Sequence, residues 1–372
     1  MRVGIDVSPL TANRTGVGNY TYYQLKHLLM QTKDMIFKGF SSGLVEVDLG
    51  GLPEIGTHRH IPLPTRVVYK SWDWFNAPKV DGLLGGIDVY HATNYYLPPV
   101  KRTRRVVTFY DLAFLREPKW CSPRIVGPFS AGVRRFSKEA DHILTCSEAT
   151  RRDVITLLDV AEEKVSVAYG AVNEDFAAMQ RPEAVDLLAR VYNLRQPYLL
   201  YVSTIEPRKN VEGLLRAFAL ASKEIPHKLV LVGATGWNAE GINPLIASLG
   251  LEDRVMRMGY VQSRSHLPAF YGAADAFLFP SFYEGFGLPV VEAMTCGCPV
   301  ITSNRASLPE VGGDAAQYVN PDDVEGMSAT IQMVVGNERL RESMSAKGKL
   351  QAAKFSWSAC ATQTAQVYRG LY

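Results

Sequence analysis

Short apolar runs, each long enough for one strand, alternate along this chain with stretches whose apolar residues recur at helical spacing. That rhythm predicts parallel α/β layers rather than separate all-α and all-β regions. In the first half the runs predict strands at Val3 to Val7, around Val89, at Val106 to Phe109, His142 to Cys146 and Val165 to Tyr169. Ser147, with Thr150 three positions on, reads as the N-cap of a helix over 148–158. The rhythm restarts at Tyr198, with strands predicted over 198–203, 229–232, 254–258, 276–280 and 299–302. Helices are predicted over 211–221 and 267–274, and from Pro289 onward. Residues 173–197 carry polar stretches and a short helical patch, with Pro182 and Pro197 as breakers, so they read as a connection between two halves. The predicted division is 1–175, a linker at 176–196, a second domain at 197–355, and a terminal helix at 356–372 entered through Phe355-Ser356-Trp357. A doubly layered α/β protein of two domains is the expected fold class.

Composition narrows the picture without changing it. With 372 residues, 47% hydrophobic and 21% charged, the chain can bury two sizeable cores. No run approaches the length of a membrane-spanning helix, and Met1-Arg2-Val3-Gly4-Ile5 enters a strand without the features of a signal peptide. Five cysteines without disulfide or zinc spacing point to a reducing cytosol. Cys296 and Cys298 read as small buried residues rather than a redox pair. The net charge of +3 is uneven, with 22 basic against 17 acidic residues in 1–170 and 18 against 20 beyond. Lys101-Arg102-x-Arg104-Arg105 adds to the basic half. It reads as a solvated loop or, functionally, as attraction to anionic headgroups or a phosphate-bearing acceptor, worth about 1 kcal/mol per well-placed cation. That is too weak for a nucleic-acid site.

The chemistry concentrates between Ser281 and Pro309. The strand 276–280 delivers the chain into Gly285-Phe286-Gly287-Leu288, and Pro289 opens a helix, where its missing N–H costs nothing. A helix entrance of this kind points orphan N–H groups and the positive end of the helix dipole at a phosphate. Glu284 precedes the turn and Glu292 follows, expected in the first helical turn. One carboxylate can face a sugar and the other a ribose, which outlines a nucleotide-sugar site. A Glu near a helix start is also favoured by the dipole with no ligand, and Gly-rich turns occur throughout doubly wound folds.

Two further segments lie at predicted strand ends, where open α/β sheets bind ligands. Ser203 to Asn210 places Arg208 and Lys209 there, able to clamp diphosphate oxygens and to stabilise the charge that develops as the diphosphate leaves. After the first strand, Gly16-Val17-Gly18-Asn19-Tyr20 opens a helix, and glycines allow a close backbone approach. This is not the G-x-G-x-x-G fingerprint, which disfavours a dinucleotide-dependent dehydrogenase. Tyr110-Asp111-Leu112 and His91-Ala92-Thr93-Asn94-Tyr95-Tyr96 also follow strands. Their aromatic and amide groups suit carbohydrate, with a buried His and core tyrosines as the plain alternative.

The Gly16 loop, Glu206-Pro207-Arg208-Lys209, and the pattern from Glu284 to Glu292 with Phe286-Gly287 inside it, in that order along the chain, resemble the retaining GT-B glycosyltransferases of family 4. The resemblance spans essentially the whole chain. It implies the GT-B architecture, two Rossmann-like domains facing a central cleft with the C-terminal helix returning to the first domain. It also implies transfer of a hexose from a nucleotide-diphosphate sugar with retention and without metal or other cofactor. By that resemblance Lys209, Arg208, Glu284 and Asp111 carry the catalysis. Donor contacts fall to Gly16, Val17, Gly18, Ser203, Tyr110, Gly233, Tyr260, Val261, Gly285, Phe286, Gly287, Leu288 and Glu292. Acceptor contacts fall to Asn94, Tyr95 and Asp111. The sequence departs from the family at Tyr110, where relatives often carry His, and at Ser203-Thr204, where some carry an additional Arg. Thr204-Ile205-Glu206-Pro207-Arg208-Lys209-Asn210 is similar to the bacterial mannosyltransferase branch, so GDP-mannose is the expected donor, with UDP-sugars open. The expected acceptor is a glycan or polyprenyl-linked saccharide, used in the cytoplasm with peripheral contact to the anionic inner membrane face. A sugar-nucleotide epimerase of the same fold and a non-catalytic sugar-nucleotide binder are the rival readings.

Overall fold

The computed structural model describes residues 1–12, 14–53, 55–174, 176–195, 197–261 and 263–372. The chain divides into two compact units. The first comprises residues 1–116, 123–171 and 356–372, the second 117–122 and 172–355.

Seven parallel strands form the sheet of the first unit: β1 (Arg2–Asp6), β2 (Ile36–Ser42), β3 (Thr57–Ile61), β4 (Val89–Ala92), β5 (Arg104–Phe109), β6 (His142–Thr145) and β7 (Val165–Val167). Their spatial order is β3-β2-β1-β4-β5-β6-β7. The order reverses between β1 and β4, which sends the connecting helices to both faces of the sheet and opens a crevice beyond the strand ends at that point. Central strands are buried on both faces, with Val3, Ile5, Val89, Val106 and Val107 fully inaccessible. The last helix, Trp357–Leu371, is N-capped by Ser356 and packs on the helix Gly16–Gln31.

The second unit repeats the scheme with six parallel strands: β8 (Tyr198–Val202), β9 (Lys228–Val232), β10 (Val255–Gly259), β11 (Ala276–Phe279), β12 (Val300–Ser303) and β13 (Ala316–Val319). Their order, β10-β9-β8-β11-β12-β13, reverses between β8 and β11. Every residue of β8, β11 and β12 is buried. The sheet of this unit therefore has one switch point, at the carboxyl ends of β8 and β11.

Several elements differ from the sequence reading. β2, β3 and β13 were not signalled: THRHI in β3 is an edge segment with little apolar content, β13 is an edge run of only four residues, and β2, though inside the sheet, reads IFKGFSS with Lys, Gly and two Ser among its apolar residues. Residues 176–196, read as a linker, contain the helix Arg181–Tyr192, which packs on Leu267–Ala273 within the second unit. Only Ala184 and Leu188 of that helix are buried, so its apolar stripe is thin. The helix expected from Pro289 starts at Leu288 with Gly287 as its N-cap. Glu292 thus lies in the second turn, one turn deeper than its spacing suggested.

Candidate active site

The two segments with the strongest chemical signal meet at the switch point of the second unit. β8 runs into Ser203–Asn210 and β11 into Pro280–Gly287. Asn210, at φ +55°, fastens the two together by donating from Nδ2 to Pro280 O at 3.2 Å and to Pro321 O at 2.7 Å. The Phe282 amide adds a bond to Arg208 O at 2.9 Å.

This framework brings Arg208, Lys209 and Glu284 into one network. Lys209 Nζ donates to Glu284 Oε1 at 2.6 Å, and Arg208 Nη1 reaches Glu284 Oε2 at 3.2 Å and Tyr283 O at 3.0 Å. Arg208 Nη2 also bonds Glu206 Oε1 at 3.0 Å. Glu284 and Lys209 are only 6% and 8% exposed, and Lys209 Nζ lies 5.3 Å from the Phe279 ring centre. Burial pushes the Glu284 carboxyl up, but Lys209 and Arg208 outweigh it and hold the group below its ordinary value. Burial, then Arg208, pull the Lys209 ammonium down, while Glu284 opposes them. The cluster therefore pairs two cations with two carboxylates before any anion arrives.

Both oxygens of Glu284, which the resemblance puts beside the donor sugar, accept from the cations, Oε1 from Lys209 and Oε2 from Arg208. Burial in low dielectric makes an unpaired carboxylate costly, so the nearest cations take it.

Above the network stands the start of the helix Leu288–Thr295. Gly287 adopts φ +102°, open to glycine but strained for other residues, and a Cβ there would lie 2.8 Å from Leu308 Cδ2. Gly287 O accepts from the Val290 amide at 2.9 Å, as at a helix start, so the Leu288 N–H points outward. Phe286 is buried, its ring edge-on to Phe355 at 5.4 Å. Glu292 accepts a hydrogen bond from Tyr271 Oη at 3.0 Å, which orients its carboxylate.

Ser203, Gly233, Tyr260 and Val261 lie at the ends of β8, β9 and β10. Gly233, at φ +143°, has no room for a side chain, since a Cβ would sit 2.0 Å from Ser203 O. Its glycine is required by the packing of β8 on β9. Val261 is buried and Tyr260 is 64% exposed, on the strand farthest from β11 on that side of the switch point.

In the first unit the predicted residues lie at the ends of β1, β4 and β5. Gly16 is exposed with nothing within 4 Å of a Cβ, which leaves its surface open, and Val17 is half-buried beside it. Gly18 differs: a Cβ would lie 2.5 Å from Pro9 O, so its missing side chain serves the protein's own fold. Tyr110, read as a sugar contact, donates its phenol proton to Thr93 O at 2.8 Å, and burial pushes that phenol upward. Tyr95, at φ +54°, brackets the Asp111 backbone: its Oη donates to Asp111 O at 2.9 Å and accepts from the Asp111 amide at 2.8 Å. Its hydroxyl therefore supports the Asp111 backbone. The Asp111 carboxylate accepts from the Ala113 amide at 3.1 Å, and Asn94 is half-buried beside Tyr95. His91 is fully buried between Tyr368 Oη at 2.6 Å and Thr108 Oγ1 at 2.7 Å, which settles its role as a core histidine.

Sequence reading missed Asn210, Tyr271 and Ser307, whose side chains hold the site. Asn210 carried a signal, a polar residue able to take positive φ just before a helix. Tyr271 and Ser307 carried none, because their partners lie 21 positions or more away. Among the described residues no group of three His, Cys, Asp or Glu side chains is placed to hold a metal ion.

Both halves have known counterparts. Residues 15–176 match the family model described as Glycosyltransferase Family 4, and residues 189–351 match Glycosyl transferases group 1. The chain is 37% identical over 283 residues to O-antigen chain mannosyltransferase B of Escherichia coli, covering 76% of this chain and 74% of that protein. It is 33% identical over 225 residues to the serotype-specific mannosyltransferase WbdA of Escherichia coli, covering 59% of this chain but 28% of that protein. Sucrose-phosphate synthase from Thermosynechococcus elongatus shares the fold, with a TM-score of 0.78 and 21% identity over 100% of this chain and 99% of that one. Two Rossmann-like units of this kind define a GT-B glycosyltransferase. The chain belongs to glycosyltransferase family 4.

Proposed function

We propose that this protein is a retaining mannosyltransferase that moves mannose from GDP-mannose to a hydroxyl of a glycan or polyprenyl-linked saccharide in bacterial polysaccharide biosynthesis. The observation that carries the reading is the Arg208–Lys209–Glu284 network, placed at the switch point that also holds the Gly287–Leu288 helix entrance. The mannosyl and polysaccharide assignments are supported by the names of the two Escherichia coli relatives.

In this mechanism the outward amides at the helix entrance and the two cations bind the diphosphate. As the sugar–oxygen bond breaks, charge accumulates on the leaving phosphate, and preplaced cations stabilise that state more than the bound donor. The acceptor hydroxyl attacks on the side from which the phosphate departs, and the phosphate takes its proton. No metal is required, because the cations occupy its electrostatic role. Glu284 holds both cations in place, Glu292 takes the ribose, and Asp111 and Asn94 in the first unit contact the acceptor.

Lys209→Ala is expected to lower turnover at least tenfold, about 1.4 kcal/mol of transition-state stabilisation. It also leaves Glu284 with less compensation, so a loss of thermal stability accompanies it. The double variant Lys209→Ala/Glu284→Gln removes the orphaned charge and should regain stability without regaining turnover. The assay measures GDP release from GDP-mannose with and without saccharide acceptors, beside a panel of UDP-sugars. Turnover that Lys209→Ala leaves unchanged removes Lys209 from the mechanism. Donor conversion without acceptor favours an epimerase, and donor binding with no nucleotide release under any acceptor favours a binder.

Contact with the membrane, where a polyprenyl-linked acceptor resides, belongs to the same proposal. Arg66, Val67, Lys70 and Trp74 follow helical spacing along the outer face of the helix Thr65–Phe75, and all are exposed, with Trp74 at 71% and Phe75 at 73%. Cations beside exposed aromatic and aliphatic groups suit an anionic bilayer surface. The Lys101 cluster suits it less, since Arg104 is paired with Asp141 at 2.9 Å and Arg105 with Glu139 at 3.0 Å. No described helix is long and apolar enough to cross a membrane.

A further inference from the structure

Ser307 is fully buried in the loop after β12, and its hydroxyl has no role in the mechanism above. It is the N-cap of the short helix Leu308–Gly312, yet its side chain makes no capping bond there. The hydroxyl points instead at the turn before Leu288–Thr295, 2.9 Å from Glu284 O and 2.8 Å from Phe286 O. A serine hydroxyl has one proton, which these two carbonyls share.

The geometry of the peptide bond gives this contact a consequence. In a planar trans peptide the C=O and the following N–H point in opposite directions. Holding the carbonyls of Glu284 and Phe286 toward Ser307 therefore turns the N–H groups of Gly285 and Gly287 toward the other side of the turn. Leu308, next to Ser307, closes the same side, since its Cδ2 would lie 2.8 Å from a Cβ at Gly287. Ala306 at φ +52° sets the bend that brings Ser307 under the turn.

We infer that Ser307 is a positioning residue that aims the Gly287 amide, in line with that of Leu288, at the diphosphate of the donor. The inference rests on the donor site described under Proposed function. It assigns the orientation of the turn to a side chain on a different strand-to-helix connection, β12 rather than β11. It also predicts what is lost when the hydroxyl goes: the Phe286–Gly287 peptide becomes able to rotate, and the amide no longer waits in its binding orientation. That loss falls on diphosphate recognition and not on the base or ribose.

The test compares GDP with GMP, and UDP with UMP, by calorimetric titration of the full-length wild type and of Ser307→Ala. The wild type should bind the diphosphate more tightly than the matching monophosphate, and Ser307→Ala should shrink that ratio about tenfold. An unchanged ratio overturns the inference, whether both affinities fall together or neither moves, because a general loosening of the unit would weaken both nucleotides alike. A wild type without preference for either diphosphate over its monophosphate overturns the donor-site reading itself, and the role of Ser307 with it.

Discussion

His91 shows how one buried side chain couples the first unit to pH. Burial pushes its imidazole down to about 3 from an ordinary value of 6.5. Two hydroxyls, Tyr368 Oη and Thr108 Oγ1, satisfy the neutral ring in either tautomer. The unfolded chain takes up a proton at this position below about pH 6.5, while the folded protein declines it until about pH 3. The stability tied to His91 is therefore complete above pH 6.5 and falls as pH drops, by about 1.4 kcal/mol per pH unit through that window. Burial also depresses His58 and His142, which add to the slope. Urea midpoints of the first unit measured between pH 7 and pH 5, a range above most carboxylate titration, should decline in the wild type. His91→Gln should remove one proton's share of the decline; an unaltered slope would show that the imidazole is protonated in the folded state. The sequence offered both readings of His91, sugar contact and core residue, and could not choose, since the deciding neighbour Tyr368 lies 277 positions away. The Lys209–Glu284 pair was hidden in the same way: each residue was legible as chemistry, but their contact depends on β8 and β11 being neighbours.

At the scale of elements, legibility followed unbroken apolar runs more than burial, since β2 is mostly buried and was not signalled. β8 and β11 lie inside the sheet and are apolar throughout, so YLLYV and AFLF announce themselves. β2 and β3 carry mixed patterns, β13 is only four residues long, and the thinly buried helix Arg181–Tyr192 showed only as a short helical patch inside the connection. The helix Thr65–Phe75 carries information of a different kind. Val68 and Trp72 face inward while Arg66, Val67, Lys70 and Trp74 face solvent, so its outer side is less polar than folding alone requires. If that side meets an anionic bilayer, Lys70→Glu combined with Trp74→Ser should reduce co-sedimentation with phosphatidylglycerol-rich vesicles severalfold. Neutral vesicles should bind the wild type more weakly, and added salt should weaken the anionic interaction. Lys101→Glu with Arg102→Glu serves as the comparison, because it tests the other basic segment. Equal loss from both double variants would assign the effect to net charge and remove the helix from the proposal.

At the scale of the whole molecule, sequence order and structural order diverge at the C-terminus. Residues 356–372 follow the entire second unit but belong to the first. Trp357 is 4% exposed and fits between Tyr23, stacked at 5.5 Å, and Tyr20, edge-on at 5.3 Å. Gln24 Nε2 donates to Thr364 Oγ1 at 2.9 Å, and Arg369 pairs with Asp34 at 3.0 Å. The Trp357 and Gln24 contacts hold the helix Gly16–Gln31, whose first residues are the exposed Gly16 and the half-buried Val17, so the terminal helix braces a predicted donor loop from behind. Removing a buried Trp side chain costs about 3–5 kcal/mol. For a unit of this size that corresponds to a drop of about 10 °C in the midpoint of unfolding. Trp357→Ala should therefore lower the calorimetric transition of the first unit by about that amount and leave the second unit's transition in place. Hydrogen exchange should report the same asymmetry, with faster exchange across 16–31 and unchanged protection in β8 and β11. A uniform shift of both transitions would mean that the two units unfold as one cooperative block, and no shift would mean that the terminal helix rests on the first unit without supporting it.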